Sequence, residues 1–171
     1  MSTTTPGLTW LNSAGVPDAR AALLEVCAST AWAERLLGRR PYADAAALFT
    51  ASDAAMAELT AADLAEAMAG HPPIGRPKPG DPSSAREQRG MTGASGELKA
   101  RMLSHNLEYQ ERFGHVFLIC ATGLTGEQMY DALTERLGNT PEAERENVRN
   151  ELVKINRIRL TRLAHEGARQ A

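Results

Sequence analysis

The sequence predicts an all-α protein, and three observations support this. Helix-favouring residues and helix-capping patterns recur along its 171 residues. Alternating apolar and polar residues, typical of strands, are almost absent, and the stretch 116–121 is the one candidate for a short buried extended piece. No internal repeat is apparent in the sequence, and nothing in it marks a second domain. We therefore expect residues 1–171 to form a single compact helical domain, with 1–8 as a flexible N-terminal tail.

The first half of the chain contains signals for four helices. The first is expected to run from its cap at 18 through 23–27, and the others to include 32–37, 44–57 and the residues that follow Thr60. Asp18 is expected to cap the first of these, and the alanine-rich stretch 44–57 favours helix by propensity. Thr60 and Asp63 resemble a capping box, and Gly70 would end the helix that this box begins.

The second half contains signals for three more helices. Ser95 is expected to begin a helix that stops at Gly114. Thr125 would cap another helix, reaching 137–138, and Thr140-Pro141 supplies a cap and a first-turn proline for the last long helix.

Between these halves, the stretch 71–96 cannot be one continuous helix. It contains five prolines and five glycines, at positions 72, 73, 77, 79, 82 and 75, 80, 90, 93, 96. Long irregular connections inside a compact domain are usually functional or disordered. We expect a long Pro/Gly-rich loop that carries part of the functional site.

Charge and cysteine usage narrow the class of protein. The net charge is −2, from 19 basic and 21 acidic residues without a basic cluster, so neither nucleic acid nor an anionic membrane is an expected partner. Cys27 and Cys120 lie far apart in apolar surroundings, as expected of buried free thiols in a reducing compartment. The N-terminus does not resemble a signal peptide and no apolar run is long enough to cross a membrane, so we expect a cytoplasmic protein.

His71 follows an expected helix end and precedes two prolines, which restrict its backbone. A histidine there could act as a general acid or base near neutral pH. It could equally cap the last carbonyls of the preceding helix. The position of His71 alone leaves both roles open.

Glu87 ends the sequence Ser84-Ala85-Arg86-Glu87, which is also a capping-box pattern. Glu87 could therefore bond back to the Ser84 backbone or act in catalysis. The two roles are compatible, because a helix N-terminus also attracts anions.

Arg159 lies at the centre of an apolar stripe on the last helix. At 100° per residue, the stripe is formed by Val148, Leu152, Ile155, Arg159 and Leu163. A guanidinium there must be paired, either with a buried carboxylate or with a carboxylate or ureido oxygen of a substrate. Glu151, Lys154 and Arg157 lie off this stripe and are expected on a solvated face.

Patterns typical of metal and nucleotide sites are missing from the sequence. The four histidines have no metal-ligand spacing, and neither a phosphate-binding glycine motif nor a Gly-x-Ser-x-Gly motif occurs. We expect neither a metal nor a cofactor, and chemistry based on acids, bases and electrostatics.

Several short motifs, taken together and in order, resemble one enzyme family. They are Leu11-Asn12, Trp32, Arg40-Pro41-Tyr42, His71-Pro72-Pro73-Ile74-Gly75, Ser84-Ala85-Arg86-Glu87-Gln88, Asn106-x-x-Tyr109, 112–120, Arg136-Leu137-x-Asn139 and Ile158-Arg159-Leu160. In this set the sequence resembles the 2-oxo-4-hydroxy-4-carboxy-5-ureidoimidazoline (OHCU) decarboxylases. Pro73 and His115-Val116 depart from the usual family pattern.

The resemblance implies a helical homodimer that converts OHCU to S-allantoin in urate degradation, without a cofactor. It implies that His71, Glu87 and Arg159 are catalytic or orient the substrate. It also implies substrate contacts from Pro72, Ser84, Ala85, Arg86, Glu87, Gln88, Phe117, Leu118, Ile119, Cys120 and Ala121. A helical protein that binds a ureide without turning it over, or a decarboxylase of a related heterocycle, is the alternative.

Overall fold

The computed structural model describes residues 5–71 and 87–167. Within these residues every regular element is a helix, which confirms the predicted all-α fold. The α-helices are α1 (Pro6–Ser13), α2 (Val16–Val26), α3 (Thr30–Gly38), α4 (Ala45–Ala57), α5 (Ala61–Ala69), α6 (Gly96–Phe113), α7 (Gly126–Arg136) and α8 (Pro141–Glu166). A short 3-10 helix, Arg89–Met91, precedes α6. Most of the expected Pro/Gly-rich loop, 72–86, lies outside the described residues.

The described chain divides into two compact units. The first contains residues up to 70 together with those from 152 onward, and the second contains residues 71–151. The start of α8 therefore belongs to the second unit and its end to the first. The expectation of a single domain stays a prediction. None of the described helices combines the length and apolarity that a membrane span requires.

The first unit is organised around α3, which packs against α2, α4 and α5. Trp32 of α3 is fully buried, and its indole Nε1 donates to Ser52 Oγ at 3.1 Å. Arg40 closes the end of α1 by donating from Nη1 to the carbonyl oxygens of Leu11, at 2.9 Å, and Ala14, at 2.8 Å. These contacts give the Trp32 and Arg40 motifs a structural role.

The second unit has its own core between α6 and α7. Its buried members are Met91, Met102, Tyr109, Phe117, Ala121, Met129 and Leu133. Gly90 passes close to this core, and a Cβ there would lie 1.9 Å from the Leu124 carbonyl oxygen.

The expected helix caps are largely confirmed, because capping depends on neighbouring residues. Thr60 with Asp63 and Thr125 with Gln128 both form complete capping boxes. Asp44, Ser95 and Thr140 accept from the N–H of Ala47, Leu98 and Ala143, at 2.8, 3.1 and 3.1 Å. Gly114 ends α6 in the left-handed conformation, with φ of 80°.

One expectation at the N-terminus is wrong, and another is contradicted for residues 6–8. Asp18 is not the cap of α2: the helix begins at Val16 and Asp18 lies in its first turn. Pro17 fits that first turn because it lacks the N–H that would otherwise need an acceptor. Helix α1 begins at Pro6, within the expected tail 1–8, and Leu8 is buried.

Candidate functional site

His71 and Glu87 flank the stretch 72–86, which lies outside the described residues. His71 follows Gly70, the C-cap of α5, and its side chain is half-buried. Glu87 is also half-buried, and Gln88 after it is buried, with 6% exposure, at the N-cap of the 3-10 helix. Pro72, Ser84, Ala85 and Arg86 lie outside the described residues, so the Ser84–Glu87 capping box and the roles of these residues stay predictions.

The segment 117–121, expected to contact substrate, has no regular secondary structure. Phe117 and Ala121 belong to the core of the second unit, and Ile119 packs against it. This spacing of two residues is typical of extended backbone, and it puts Leu118 and Cys120 on the opposite face. Leu118 is buried, whereas Ile119 and Cys120 are half-buried.

Two backbone groups of this segment are held by charged side chains. Arg136, at the end of α7, donates from Nη1 to the Leu118 carbonyl oxygen at 2.5 Å. The N–H of Cys120 donates to Glu151 Oε1, on α8, at 3.0 Å. Glu151 is half-buried, so the expectation that it belongs to a solvated face is wrong. Lys154 and Arg157, expected on the same face, are exposed.

Behind the segment, Glu144 accepts hydrogen bonds from four side chains while having no solvent exposure. The donors are Tyr109 Oη at 2.5 Å, Arg136 Nε at 2.8 Å, Asn139 Nδ2 at 2.9 Å and Asn147 Nδ2 at 2.7 Å. The guanidinium of Arg136 also lies over the Phe117 ring, with 4.7 Å from Cζ to the ring centroid. We call Tyr109, Arg136, Asn139, Glu144 and Asn147 the Glu144 network.

The surroundings of the Glu144 network shift the pKa values of two members in opposite directions. Burial by itself would raise the pKa of Glu144, but the hydrogen bonds from Asn139, Tyr109 and Asn147, with the charge of Arg136, outweigh it and hold this pKa below its usual range. Burial, and donation to the Glu144 carboxylate, raise the pKa of Tyr109. Tyr109 is therefore neutral and Glu144 charged at neutral pH.

An open pocket of about 390 Å³ lies beside the network. Its lining residues are Ile119, Ala132, Glu135, Arg136, Asn139, Asn147 and Glu151. The two side chains that hold the segment 117–121, Arg136 and Glu151, thus line one and the same pocket. The described residues contain no group of three or more His, Cys, Asp or Glu side chains that could hold a metal ion.

Arg159 belongs to the first unit, where it is half-buried. Its Nη1 donates to the carbonyl oxygens of Glu25, at 3.4 Å, and Val26, at 3.1 Å. These carbonyls end α2, where a cation also interacts favourably with the helix dipole. The guanidinium on the apolar stripe therefore has backbone acceptors, an arrangement that neither interpretation of the sequence included. The catalytic role of Arg159 stays a prediction.

Both cysteines are free thiols, as expected. Cys27 is buried next to the C-terminus of α2, and burial raises the pKa of its thiol. Cys120 is only half-buried, so the expectation of two buried thiols holds for Cys27 alone.

Sequence reasoning assigned no role to Glu144, although a signal was present. At 100° per residue Glu144 extends the stripe of Val148 and Leu152 by one turn, and a carboxylate on an apolar stripe needs partners just as Arg159 does. Arg136 and Asn139 were noted only as a shared motif. Their pairing with Glu144 depends on the turn between α7 and α8.

Comparison with known proteins identifies the family. A sequence model of the OHCU decarboxylase family matches residues 12–161. The chain belongs to the OHCU decarboxylase family. A crystal structure described as OHCU decarboxylase in the presence of (S)-allantoin has a TM-score of 0.74 and 29% sequence identity, and the match covers 84% of this chain and 96% of that one.

Curated relatives of the chain match over part of their length. The uric acid degradation bifunctional protein TTL of Arabidopsis thaliana is 29% identical over 150 residues, which cover 84% of this chain and 46% of that protein. The OHCU decarboxylase of Amia calva is 42% identical over 73 residues, which cover 43% of this chain and 42% of that protein. The matches thus span less than half the length of these relatives.

Proposed function

We propose that this chain decarboxylates OHCU to S-allantoin, as a step of urate degradation. The observation that carries the proposal is the family match across residues 12–161. The likeness to a structure described as OHCU decarboxylase with (S)-allantoin supports it, since that match covers nearly the whole of the other chain.

The chemistry requires electron delocalisation followed by proton transfers. The C–C bond to the carboxylate breaks, CO2 leaves, and the electron pair moves into the conjugated imine and carbonyl of the imidazoline ring. The imine nitrogen takes up a proton, the ring hydroxyl loses its proton to become a carbonyl, and a proton is added to one face of the ureido-bearing ring carbon to give a single enantiomer. The protein must align the breaking bond with the π-system and deliver that proton.

Within this proposal His71 and Glu87 handle the protons. His71 would move a proton on or off the substrate hydroxyl or ring carbon, and Glu87 would set the orientation and charge of His71. Arg159 would hold an anionic or carbonyl oxygen of the substrate, and Gln88 offers a donor and an acceptor to the ureido or ring amide. Backbone N–H groups of 117–121 would stabilise negative charge that develops on a ring oxygen.

Circular dichroism of the allantoin formed from freshly generated OHCU tests the proposal. We expect rapid formation of one optically active enantiomer, at a rate proportional to protein concentration. A protein that only binds ureides would leave the slow spontaneous route to racemic product unchanged. Turnover of a different heterocycle, with OHCU untouched, would identify a related decarboxylase instead.

The reaction is proposed to need no cofactor, because a carbonyl and an imine on the substrate itself accept the electron pair. Exhaustive dialysis against a metal chelator should therefore leave kcat unchanged. A loss of activity that a divalent metal restores would contradict this part of the proposal.

A homodimer is proposed on the family resemblance. Leu103 and Leu107 are four residues apart on α6 and are 39% and 57% exposed, so they offer an apolar surface on one helix face. Light scattering after size-exclusion chromatography should give twice the 18.4 kDa of one chain. The Leu107→Glu variant should shift that mass toward the monomer if this face forms the contact. A cytoplasmic location is likewise proposed, and fractionation of the native host's cells tests it.

A further inference from the structure

Two peptide units in the segment 117–121 form hydrogen bonds with charged side chains on the same side of the segment. These bonds affect how the substrate of the proposed function would be recognised. The carbonyl of Leu118 accepts from Arg136 Nη1 at 2.5 Å. The N–H of Cys120 donates to Glu151 Oε1 at 3.0 Å. Arg136 and Glu151 line one pocket, so both bonds lie on one side of the segment.

Peptide geometry then fixes the direction of the groups on Ile119. In a trans peptide the C=O and N–H point in opposite directions, and the peptide bonds on both sides of Ile119 are trans. Because the Leu118 carbonyl points at Arg136, the N–H of Ile119 points away from it. Because the Cys120 N–H points at Glu151, the carbonyl of Ile119 points away from that residue.

Ile119 therefore presents one donor and one acceptor along the edge opposite Arg136 and Glu151. Its side chain is half-buried, and no acceptor or donor among the described residues bonds these two backbone groups. Backbone groups that are removed from bulk water need a partner. A donor beside an acceptor is complementary to the N–H and C=O of an amide, which the ring and the ureido group of the proposed substrate both contain.

The side chain of Arg136 is itself fixed by several contacts. Arg136 is 9% exposed, its Nε donates to Glu144 at 2.8 Å, and its guanidinium lies over the ring of Phe117. Glu144 is fixed in turn by three further donors of the Glu144 network. The side chain therefore has little freedom, and its charged bond to the Leu118 carbonyl polarises the peptide and makes the N–H of Ile119 a stronger donor.

We propose that Arg136 and Glu151 are positioning residues that orient Ile119, so that its N–H and C=O bind an amide edge of the substrate. The inference rests on the proposed function, because it takes OHCU as that substrate. Arg136 and Glu151 act through the backbone and need not touch the substrate themselves.

The test uses three substitutions at Arg136 and Glu151, and two exposed positions on α8 provide the controls. Arg136→Lys keeps the charge beside Glu144 but loses the fork that also reaches Leu118. Glu151→Ala removes the acceptor for Cys120, whereas Glu151→Gln keeps an oxygen in its place. Arg145→Lys and Glu146→Ala are the controls, since both side chains are exposed.

We expect the full-length Arg136→Lys and Glu151→Ala variants to lose about 10-fold or more in kcat/KM for OHCU, as a lost hydrogen bond to the reacting substrate would cause. Binding of (S)-allantoin, measured by calorimetry, should weaken in parallel, although the variants remain folded at the assay temperature by circular dichroism. Glu151→Gln should recover most of the loss, and the controls should match the parent protein.

The possible failures of the two proposals differ. An active parent protein with folded Arg136→Lys and Glu151→Ala variants that stay within twofold of it would overturn the positioning role alone. The positioning role would also be overturned if the activity of each variant simply followed its folded fraction. It would be overturned as well if Glu151→Gln lost as much kcat/KM as Glu151→Ala. A parent protein that does not accelerate OHCU decarboxylation would overturn the proposed function and this inference together.

Discussion

Glu144 Oε1 lies 2.8 Å from Nε of Arg136, and the two form an ion pair in which the carboxylate has no solvent exposure. The pair joins the end of α7 to the start of α8, and it lies directly behind the segment 117–121. Burying two charges costs free energy that their attraction and hydrogen bonds must offset, and Nη2 of Arg136 has no hydrogen-bond partner among the described residues. The pair therefore has consequences for stability as well as for the site.

Removing one member should be costly, because the other would remain buried and charged. We expect Arg136→Met to lower the free energy of unfolding by about 3–5 kcal/mol. Denaturation in urea, followed by circular dichroism, measures this. Arg145→Met, the same change at an exposed position on α8, should lie within about 0.5 kcal/mol of the parent protein. Equal effects of the two changes would show that the pair contributes little.

The lowered pKa of Glu144 predicts a dependence of stability on pH. An unfolded glutamate titrates near about 4.3, and the folded pKa of Glu144 lies lower. The folded state is therefore stabilised by this group above about pH 4.3, and this stabilisation is lost as the pH falls toward the folded pKa. Melting temperatures measured from pH 7 to pH 3 should fall less steeply for Glu144→Gln than for the parent protein, while the exposed control Glu146→Gln should follow the parent. Parallel curves for all three proteins would contradict this prediction.

Most of the helices that the sequence predicted have ends that are determined locally. Thr60 with Asp63, and Thr125 with Gln128, form capping boxes within four residues, so the pattern is visible in the chain itself. Helix α1 was missed, and the start of α2 was misplaced, because their N-caps, Thr5 and Gly15, make no side-chain cap bond. Gly7 of α1 lies close to the backbone of Leu163 and Ala164 at the distant end of α8, a contact that no local pattern reveals.

In the candidate site, too, some residues could be found from local motifs, whereas the roles of others depend on contacts between distant parts of the chain. The resemblance in motifs identified the segment 117–121 and the residues around His71, but it gave no reason for Arg136 and Asn139. That reason is the buried carboxylate of Glu144, with which they pair only after the turn between α7 and α8 has formed. Glu151 was misassigned because its position on the helix wheel does not reveal the backbone N–H of Cys120, 31 residues away.

The contact between α1 and α8 can be tested at Gly7. A Cβ at Gly7 would lie 1.9 Å from the Leu163 carbonyl oxygen, so α1 would have to move. We expect Gly7→Ala to destabilise the protein by about 1–3 kcal/mol, as overpacking does. Gly15→Ala is the matched control, because the nearest atom to its Cβ would be 3.9 Å away. Thermal unfolding of the two variants should differ, and a Gly7→Ala protein as stable as the control would show that α1 does not pack closely there.

Arg159 should contribute to stability and to activity by separable amounts. Arg159 donates hydrogen bonds to the Glu25 and Val26 carbonyls in the last turn of α2. Arg159→Gln should therefore cost about 1–2 kcal/mol of folding free energy. If Arg159 also holds the substrate, kcat/KM should fall about 100-fold or more at a temperature where the variant is fully folded. Arg157→Gln, which loses an exposed pair with Asp53, is the control on the same helix and should leave activity unchanged. A folded Arg159→Gln protein with nearly normal activity would restrict Arg159 to its structural role.

His71 is the residue on which the proposed chemistry depends most. It directly follows the C-cap of α5, so its replacement leaves the hydrogen bonds within that helix in place. We expect His71→Asn to be folded at the assay temperature, with the parent's circular dichroism spectrum, and to lower kcat for OHCU by about 100-fold or more, the usual contribution of a general acid or base. His165→Asn, at an exposed position in the last turn of α8, is the control and should retain full activity.

Because removal of a proton-transfer group affects the chemical step more than binding, (S)-allantoin should still bind His71→Asn with an affinity close to that of the parent. A folded His71→Asn protein that produces optically active allantoin at nearly the parent rate would exclude His71 as the proton-transfer group.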